Sequence, residues 1–155
     1  MRIEIDQSGK IEKTNRKTIV AFSTRDGVTS GAVVISARDK KLVQSHFRAV
    51  KKPRLFVHIT FVILIYLMVK DIIKDYDQII IDREYPGYDD FIIQTLRSLI
   101  AEKNIKNLSI SISQIGRKSK AHDLAWNELQ LRVQKVAVRI SKEQVVREIK
   151  KSGSI

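Results

Sequence analysis

An apolar run in the first half of the chain restricts the possible folds more than any other feature. Residues 55–69 (LFVHITFVILIYLMV) contain no formal charge and lie between Arg54 and Lys70. A helix that is apolar on every side is buried either in a membrane or at the centre of a folded domain. A bilayer core needs about 20 such residues, and this run is shorter and includes His58 and Thr60. We therefore expect a central buried helix, the alternative being a membrane-associated protein that inserts residues 55–69.

The segments before this run predict antiparallel strands. Three stretches have the alternation or the β-branched content of strands, at residues 1–6, 18–24 and 31–36. Asp26-Gly27 lies between the second and the third stretch, and this dipeptide favours a tight hairpin. A meander of three antiparallel strands follows from these signals.

The second half of the chain alternates strands with helices. Residues 78–82 and 108–112 have the pattern of strands, whereas residues 88–103 and 121–135 carry apolar side chains at helical spacing. Alternation of this kind is typical of parallel pairing. The predicted fold class is therefore α/β, with a mixed sheet of three antiparallel strands and then two parallel strands, flanked by helices.

Length and composition indicate a single intracellular domain. A chain of 155 residues has the size of one domain, and we expect it to span residues 1–155, with 136–155 as a C-terminal extension that includes a short helix. The absence of cysteine excludes a disulfide framework, a thiolate metal site and a cysteine nucleophile. The first residues carry charges where a signal peptide needs an apolar run, so we expect a cytoplasmic protein.

Three acidic residues stand at corresponding places in this element order. Asp6 ends the first strand in IEIDQSG, Asp82 ends the fourth in IIIDREYPG, and Asp123 lies in the first turn of a late helix in SKAHDLAW. The order and these acids resemble the ribonuclease H-like superfamily over residues 1–135. In that family the first and fourth strands are parallel neighbours that each carry an aspartate, and a late helix supplies another acid. The resemblance implies that Asp6, Asp82 and Asp123 bind metal ions.

The chemistry that this resemblance implies is hydrolysis of phosphodiester bonds by two metal ions. Two Mg²⁺ or Mn²⁺ ions held roughly 4 Å apart activate water and stabilise the leaving oxygen, and such hard cations prefer oxygen ligands. Glu84 is two residues beyond Asp82, so an extended backbone points both side chains the same way and makes Glu84 a further candidate ligand. His122, beside Asp123, is a candidate proton shuttle or phosphate contact.

The net charge of +12 is concentrated in two segments. Residues 38–54 and residues 117–151 each carry a net charge of +6, and the rest of the chain sums to zero. Concentrated positive charge attracts polyanions through steering and counterion release. We therefore expect a nucleic acid partner and no membrane. The candidate contact residues are Lys51, Lys52, Arg54, Arg117, Lys118 and Lys120.

The sequence also departs from the family pattern. Cellular ribonucleases H carry a glutamate in the first long helix, whereas residues 55–69 contain no acid. Each candidate acid also has an explanation without metal, because acids commonly end strands and are favoured in the first turn of a helix. The alternative function is a non-catalytic nucleic-acid-binding module on the same fold. The sequence leaves open whether the substrate is RNA, DNA, a hybrid or a branched junction, and what the oligomeric state is.

Overall fold

A computed structural model describes residues 1–152 and places them in one mixed β-sheet flanked by five α-helices. The strands are β1 Arg2–Ser8, β2 Thr18–Thr24, β3 Ser30–Ile35, β4 Gln78–Asp82, β5 Ser109–Ser113 and β6 Val138–Arg139. The helices are α1 Ala37–Ala49, α2 Phe56–Val69, α3 Asp89–Ile100, α4 Lys120–Gln130 and α5 Lys142–Ser152. Short 3₁₀ turns lie at Pro53–Leu55, Ile73–Asp75 and Ala101–Lys103.

The strand order across the sheet is β5-β4-β1-β2-β3-β6. β1, β2 and β3 pair antiparallel, while β4 pairs parallel with β1 and β5 pairs parallel with β4. The predicted mixed sheet of three antiparallel and two parallel strands is confirmed. β6, which pairs parallel with β3 over two residues, was not predicted.

The two faces of the sheet pack against different partners, as the two-residue period of strands requires. Ile3 and Ile5 of β1 point into the main core, which α1, α2, α3 and α5 cover. The opposite face is covered by α4, whose Ala125 packs in a smaller cluster with Ala21 of β2. Asp6 pairs with Ala21 in the sheet, so its side chain lies on the α4 face.

The apolar run is the central helix of the main core, as predicted. α2 covers nearly the whole run, and ten of its side chains are buried, including Phe61, Leu64 and Ile65. Within residues 1–152, no helix has both the length and the apolar character needed to cross a bilayer.

α1 is an element that hydrophobic periodicity did not predict. Its buried face consists of Asp39, Lys40, Val43 and Phe47, so only two of the four core positions are apolar. Lys40 is fully buried, and its Nζ donates to the carbonyl oxygens of Lys10 and Lys13 and to Oγ1 of Thr18. One cation of the basic segment 38–54 therefore stabilises the loop between β1 and β2 and is absent from the surface.

The C-terminal residues contribute to the same core as the rest of the chain. Val145 and Ile149 of α5 are fully buried in the main cluster, and α5 packs against α1 and α2. The connection from α4 to β6 is fixed by Glu128, whose carboxylate accepts hydrogen bonds from the N–H groups of residues 135–137. The predicted short helix of the 136–155 extension is α5, although residues 153–155 lie outside the described part.

Candidate metal centre

Parallel pairing of β1 and β4 brings two aspartates side by side. The register pairs Ile5 with Ile81, so the next residue of each strand, Asp6 and Asp82, lies at the same level of the sheet. Ile81 points into the main core, which puts Asp82 on the opposite, α4 face together with Asp6. In α/β sheets with parallel strands, the carboxyl ends of those strands are the usual place for ligands.

Glu84 completes a group of three carboxylates. One carboxylate oxygen each from Asp6, Asp82 and Glu84 lies within 4.8 Å of the other two. Among the described residues, these three are the group of acids and histidines whose geometry suits a metal ion. The alternation of side chains beyond Asp82 predicted that Glu84 would point toward Asp82, and its carboxylate does lie beside that of Asp82.

Hydrogen bonds fix the two aspartates. Asp6 Oδ1 accepts from the backbone N–H of Gln7 at 2.7 Å, and Oδ2 lies 2.8 Å from Nδ1 of His122. Asp82 Oδ1 accepts from the backbone N–H of Ile115 at 2.8 Å. Asp6 is 3% exposed, so its carboxylate has little freedom to turn toward water.

Burial of the three acids next to one another changes their protonation. Burial, the hydrogen bonds to Asp6 and Asp82 and the negative charges of both aspartates together raise the pKa of Glu84 to about 9, and burial has the largest effect. Burial also raises the pKa of Asp6; the hydrogen bond with Glu84 opposes this effect, and the charge of Asp82 adds to it. A cluster of this kind holds its full negative charge at neutral pH only when a cation compensates that charge.

His122, rather than Asp123, is the residue of α4 that reaches the carboxylates. Successive residues of a helix point about 100° apart, so a helix that directs His122 at Asp6 turns Asp123 away. Asp123 is exposed and is not part of the three-carboxylate group. The metal-binding role of Asp123 stays a prediction, and the geometry does not support it. The contact between His122 and Asp6 supports the predicted role of His122 in proton transfer.

One basic segment follows the loop residue that donates a hydrogen bond to Asp82. Arg117 and Lys118 are exposed in the loop that joins β5 to α4, and Lys120 is exposed in the first turn of α4. This loop is connected to the three carboxylates through Ile115, whose N–H donates to Oδ1 of Asp82. The N-cap Ser119 accepts from the N–H of Ala121 and begins α4 at this point.

The second basic segment follows α1. Its conformation is a Schellman motif, since the N–H of Lys51 donates to the carbonyl of Arg48 and the N–H of Lys52 donates to the carbonyl of Phe47. Lys51, Lys52 and Arg54 are all exposed. They precede α2 directly, and the predicted contact residues therefore form two separate exposed groups.

Contacts of Tyr85 connect the start of α2 to the carboxylates, and sequence patterns did not predict them. The His58 ring packs edge-on against Tyr85 with centroids 5.3 Å apart, and Tyr85 accepts a hydrogen bond from Nε2 of Gln7 at 3.0 Å. Gln7 and Tyr85 are the direct sequence neighbours of Asp6 and Glu84. The position of Gln7 and Tyr85 next to the two acids was the one signal in the sequence. A hydrogen bond between residues 78 positions apart has no local sequence pattern that would predict it.

Comparisons with known proteins do not assign this site to a family. No protein-family model, curated protein or solved structure matches the chain. The function therefore has to be inferred from the residues themselves. Their donor set consists of carboxylate oxygens, which suits a hard divalent cation such as Mg²⁺ or Mn²⁺.

Proposed function

We propose that this protein binds nucleic acid and hydrolyses its phosphodiester bonds with two Mg²⁺ or Mn²⁺ ions on a ribonuclease H-like fold. The observation that carries the proposal is the cluster of Asp6, Asp82 and Glu84 at the carboxyl ends of two parallel central strands. The strand order supports the fold assignment, because the first and fourth strands are parallel neighbours at the middle of the sheet.

The carboxylates fit the proposed metal ions. Oxygen ligands suit hard cations, and the raised pKa of Glu84 shows that its ionised form is unfavourable beside two buried aspartates, which a bound cation would reverse. Bound in this place, the ions supply Lewis acidity toward water and toward the leaving oxygen. In the reaction, an oxygen of water bonds to phosphorus and the bond to one sugar oxygen breaks. The proton that water loses balances the proton that the leaving oxygen gains.

The chain's own residues hold the reacting groups. A carboxylate only accepts hydrogen bonds, so His122 donates its Nδ1 proton to Asp6 and fixes the orientation of that carboxylate. The imidazole is about one-third exposed, and its Nε2 is therefore available to exchange a proton with water or substrate. Arg117 and Lys118 are exposed two and three residues beyond Ile115, whose N–H donates to Asp82, and we assign them to contacts with the phosphates of the substrate.

The test is a cleavage assay with labelled single-stranded DNA, duplex DNA, RNA and an RNA–DNA hybrid. We expect cleavage of at least one substrate in Mg²⁺ or Mn²⁺ and none in EDTA. Asp6→Asn and Glu84→Gln each remove one charged ligand and should lower the rate at least 100-fold. Asp75→Asn is the matched control, because Asp75 is an exposed acid before β4, at the end of the strand opposite to Asp82, and it should retain the wild-type rate.

The outcomes separate a nuclease from a binding module. No cleavage of any substrate, together with salt-sensitive binding that Asp6→Asn leaves unchanged, would contradict the nuclease and support the non-catalytic alternative. Isothermal calorimetry with Mn²⁺ provides a readout that is independent of substrate choice, since the Asp6→Asn/Asp82→Asn variant should lose the binding. Asp123→Asn in the same assays decides whether α4 supplies a further ligand.

A further inference from the structure

Two aromatic rings from different elements form a stack at the surface. The His58 imidazole of α2 lies parallel to the phenol ring of Tyr88, with centroids 3.7 Å apart and planes 14° apart. Tyr88 is the N-cap residue of α3. The rings of Tyr85 and Phe91 contact His58 edge-on at 5.3 and 6.3 Å, so the imidazole is held on several sides.

The outer ring of the stack is open to solvent. Tyr88 is 47% exposed although His58 covers one face of its ring, and neighbouring Phe91 is 37% exposed. His58 below them is half-buried. Burial lowers the pKa of His58, so the imidazole is a neutral aromatic ring at pH 7. The ring of Tyr88 is therefore held in place by its contact with His58 and is still partly open to solvent.

Short stretches of chain and one hydrogen bond link this stack to the carboxylates and to one of the two basic groups. Tyr88 is four residues beyond Glu84 in the same loop, and Tyr85 connects His58 to Gln7, the neighbour of Asp6. Arg54 lies in the 3₁₀ turn that directly precedes α2, four residues before His58. Lys51 and Lys52 immediately precede that turn and are exposed.

We propose that the Tyr88–His58 stack is a platform on which an unpaired base of the substrate stacks while Lys52 and Arg54 contact the adjoining phosphates. The inference rests on the proposed function and narrows it to single-stranded or locally unpaired nucleic acid. A base in a continuous duplex has both faces covered by its neighbours, so it offers no face to Tyr88. An unpaired base does, and stacking on an aromatic side chain tolerates any sequence.

The test uses a single-stranded oligonucleotide that carries the fluorescent base 2-aminopurine, with Ca²⁺ in place of Mg²⁺ to prevent cleavage. Binding of the wild-type protein should quench the fluorescence through stacking. Tyr88→Leu removes the ring and should abolish the quenching and weaken binding by about 5- to 150-fold, as expected for one stacked base. Tyr88→Phe keeps the ring and should behave like wild type.

Two controls distinguish a platform from a loss of folding. Tyr76→Leu removes a partly buried tyrosine that precedes β4, at the far end of that strand from Glu84, and should leave binding unchanged. Duplex DNA should bind the wild-type protein and Tyr88→Leu equally well. An unchanged affinity and quenching in Tyr88→Leu would overturn the platform while leaving metal-dependent cleavage intact. If the wild-type protein bound and cleaved no nucleic acid, the platform and the proposed function would both be overturned.

Discussion

Nδ1 of His122 lies 2.8 Å from Oδ2 of Asp6 and joins the first strand to α4 across 116 residues. The other oxygen of Asp6 accepts from the N–H of Gln7. Each carboxylate oxygen of Asp6 therefore has a partner outside the three-carboxylate group, in addition to the hydrogen bond that Asp6 shares with Glu84. This arrangement makes His122 a positioning residue for Asp6.

His122→Ala should weaken Mn²⁺ binding by about 10- to 100-fold, the usual effect of removing a hydrogen-bond partner of a metal ligand. Calorimetry measures the affinity directly, and the stoichiometry should stay the same because the carboxylates remain. His46→Ala in α1 is the matched control, since His46 lies in the last turn of that helix and contacts Phe47. Equal Mn²⁺ affinity in His122→Ala and wild type would show that Asp6 needs no such partner.

The three carboxylates should make the metal-free protein less stable as the pH rises. Unfolded Glu84 ionises near its ordinary pKa of 4.5, whereas folded Glu84 keeps its proton until about pH 9. Between these values the folded state binds more protons than the unfolded state, so the free energy of unfolding falls as the pH rises. The raised pKa of Asp6 acts in the same direction from its ordinary value of 3.8.

Urea unfolding at pH 5 and pH 8 in EDTA measures this effect. The fall in stability between the two values should be smaller in Glu84→Gln than in wild type, because the amide does not ionise. Saturating Mn²⁺ should raise the stability of the wild-type protein at pH 8 more than at pH 5, where protons compete for the carboxylates. The same pH dependence in wild type and Glu84→Gln would contradict the raised pKa.

Lys40 offers a prediction about the β1–β2 loop. Its buried ammonium group donates to two carbonyl oxygens, those of Lys10 and Lys13, and to the hydroxyl of Thr18. Lys40→Met fills most of the same volume but leaves these buried acceptors without a donor, so it should lower the free energy of unfolding by about 1–3 kcal/mol. Urea unfolding provides the value, with Lys41→Met at the neighbouring exposed position as control. A loss below about 0.5 kcal/mol would mean that water replaces the ammonium group.

The elements that the sequence predicted are those with a regular hydrophobic period. β1, β4 and α2 were found because their apolar residues follow the strand period or fill an entire helix. The adjacency of Asp6 and Asp82 was predicted from the ribonuclease H-like resemblance, which implied that the first and fourth strands are parallel neighbours that each carry an aspartate. Glu84 followed in turn from the alternation of side chains beyond Asp82.

The elements that were missed depend on tertiary contacts. In α1, Lys40 occupies a core position that only the carbonyl oxygens of a distant loop make favourable, so periodicity could not identify the helix. β6 is two residues long, and Glu128 of α4 holds the segment before it. The orientation of α4 is a further example. The resemblance placed Asp123 at the site, and His122 was a candidate because it is the next residue in the chain, but the packing of α4 brings only the histidine to Asp6.

Lys51 makes it possible to separate stability from nucleic acid binding. It lies just after α1 in a left-handed conformation, with φ of 61°, which is unfavourable for a residue with a side chain and natural for glycine. Lys51→Gly should therefore raise the free energy of unfolding by about 1 kcal/mol, while it removes one exposed cation from the proposed nucleic acid surface.

Lys51→Ala removes the same charge without the conformational gain. Both variants should lose the same affinity for single-stranded DNA and lower the salt dependence of binding by about one counterion, but only Lys51→Gly should be stabilised. If the variants differ in affinity, or if neither loses any, Lys51 does not contact the phosphates, and the proposed surface begins at Lys52.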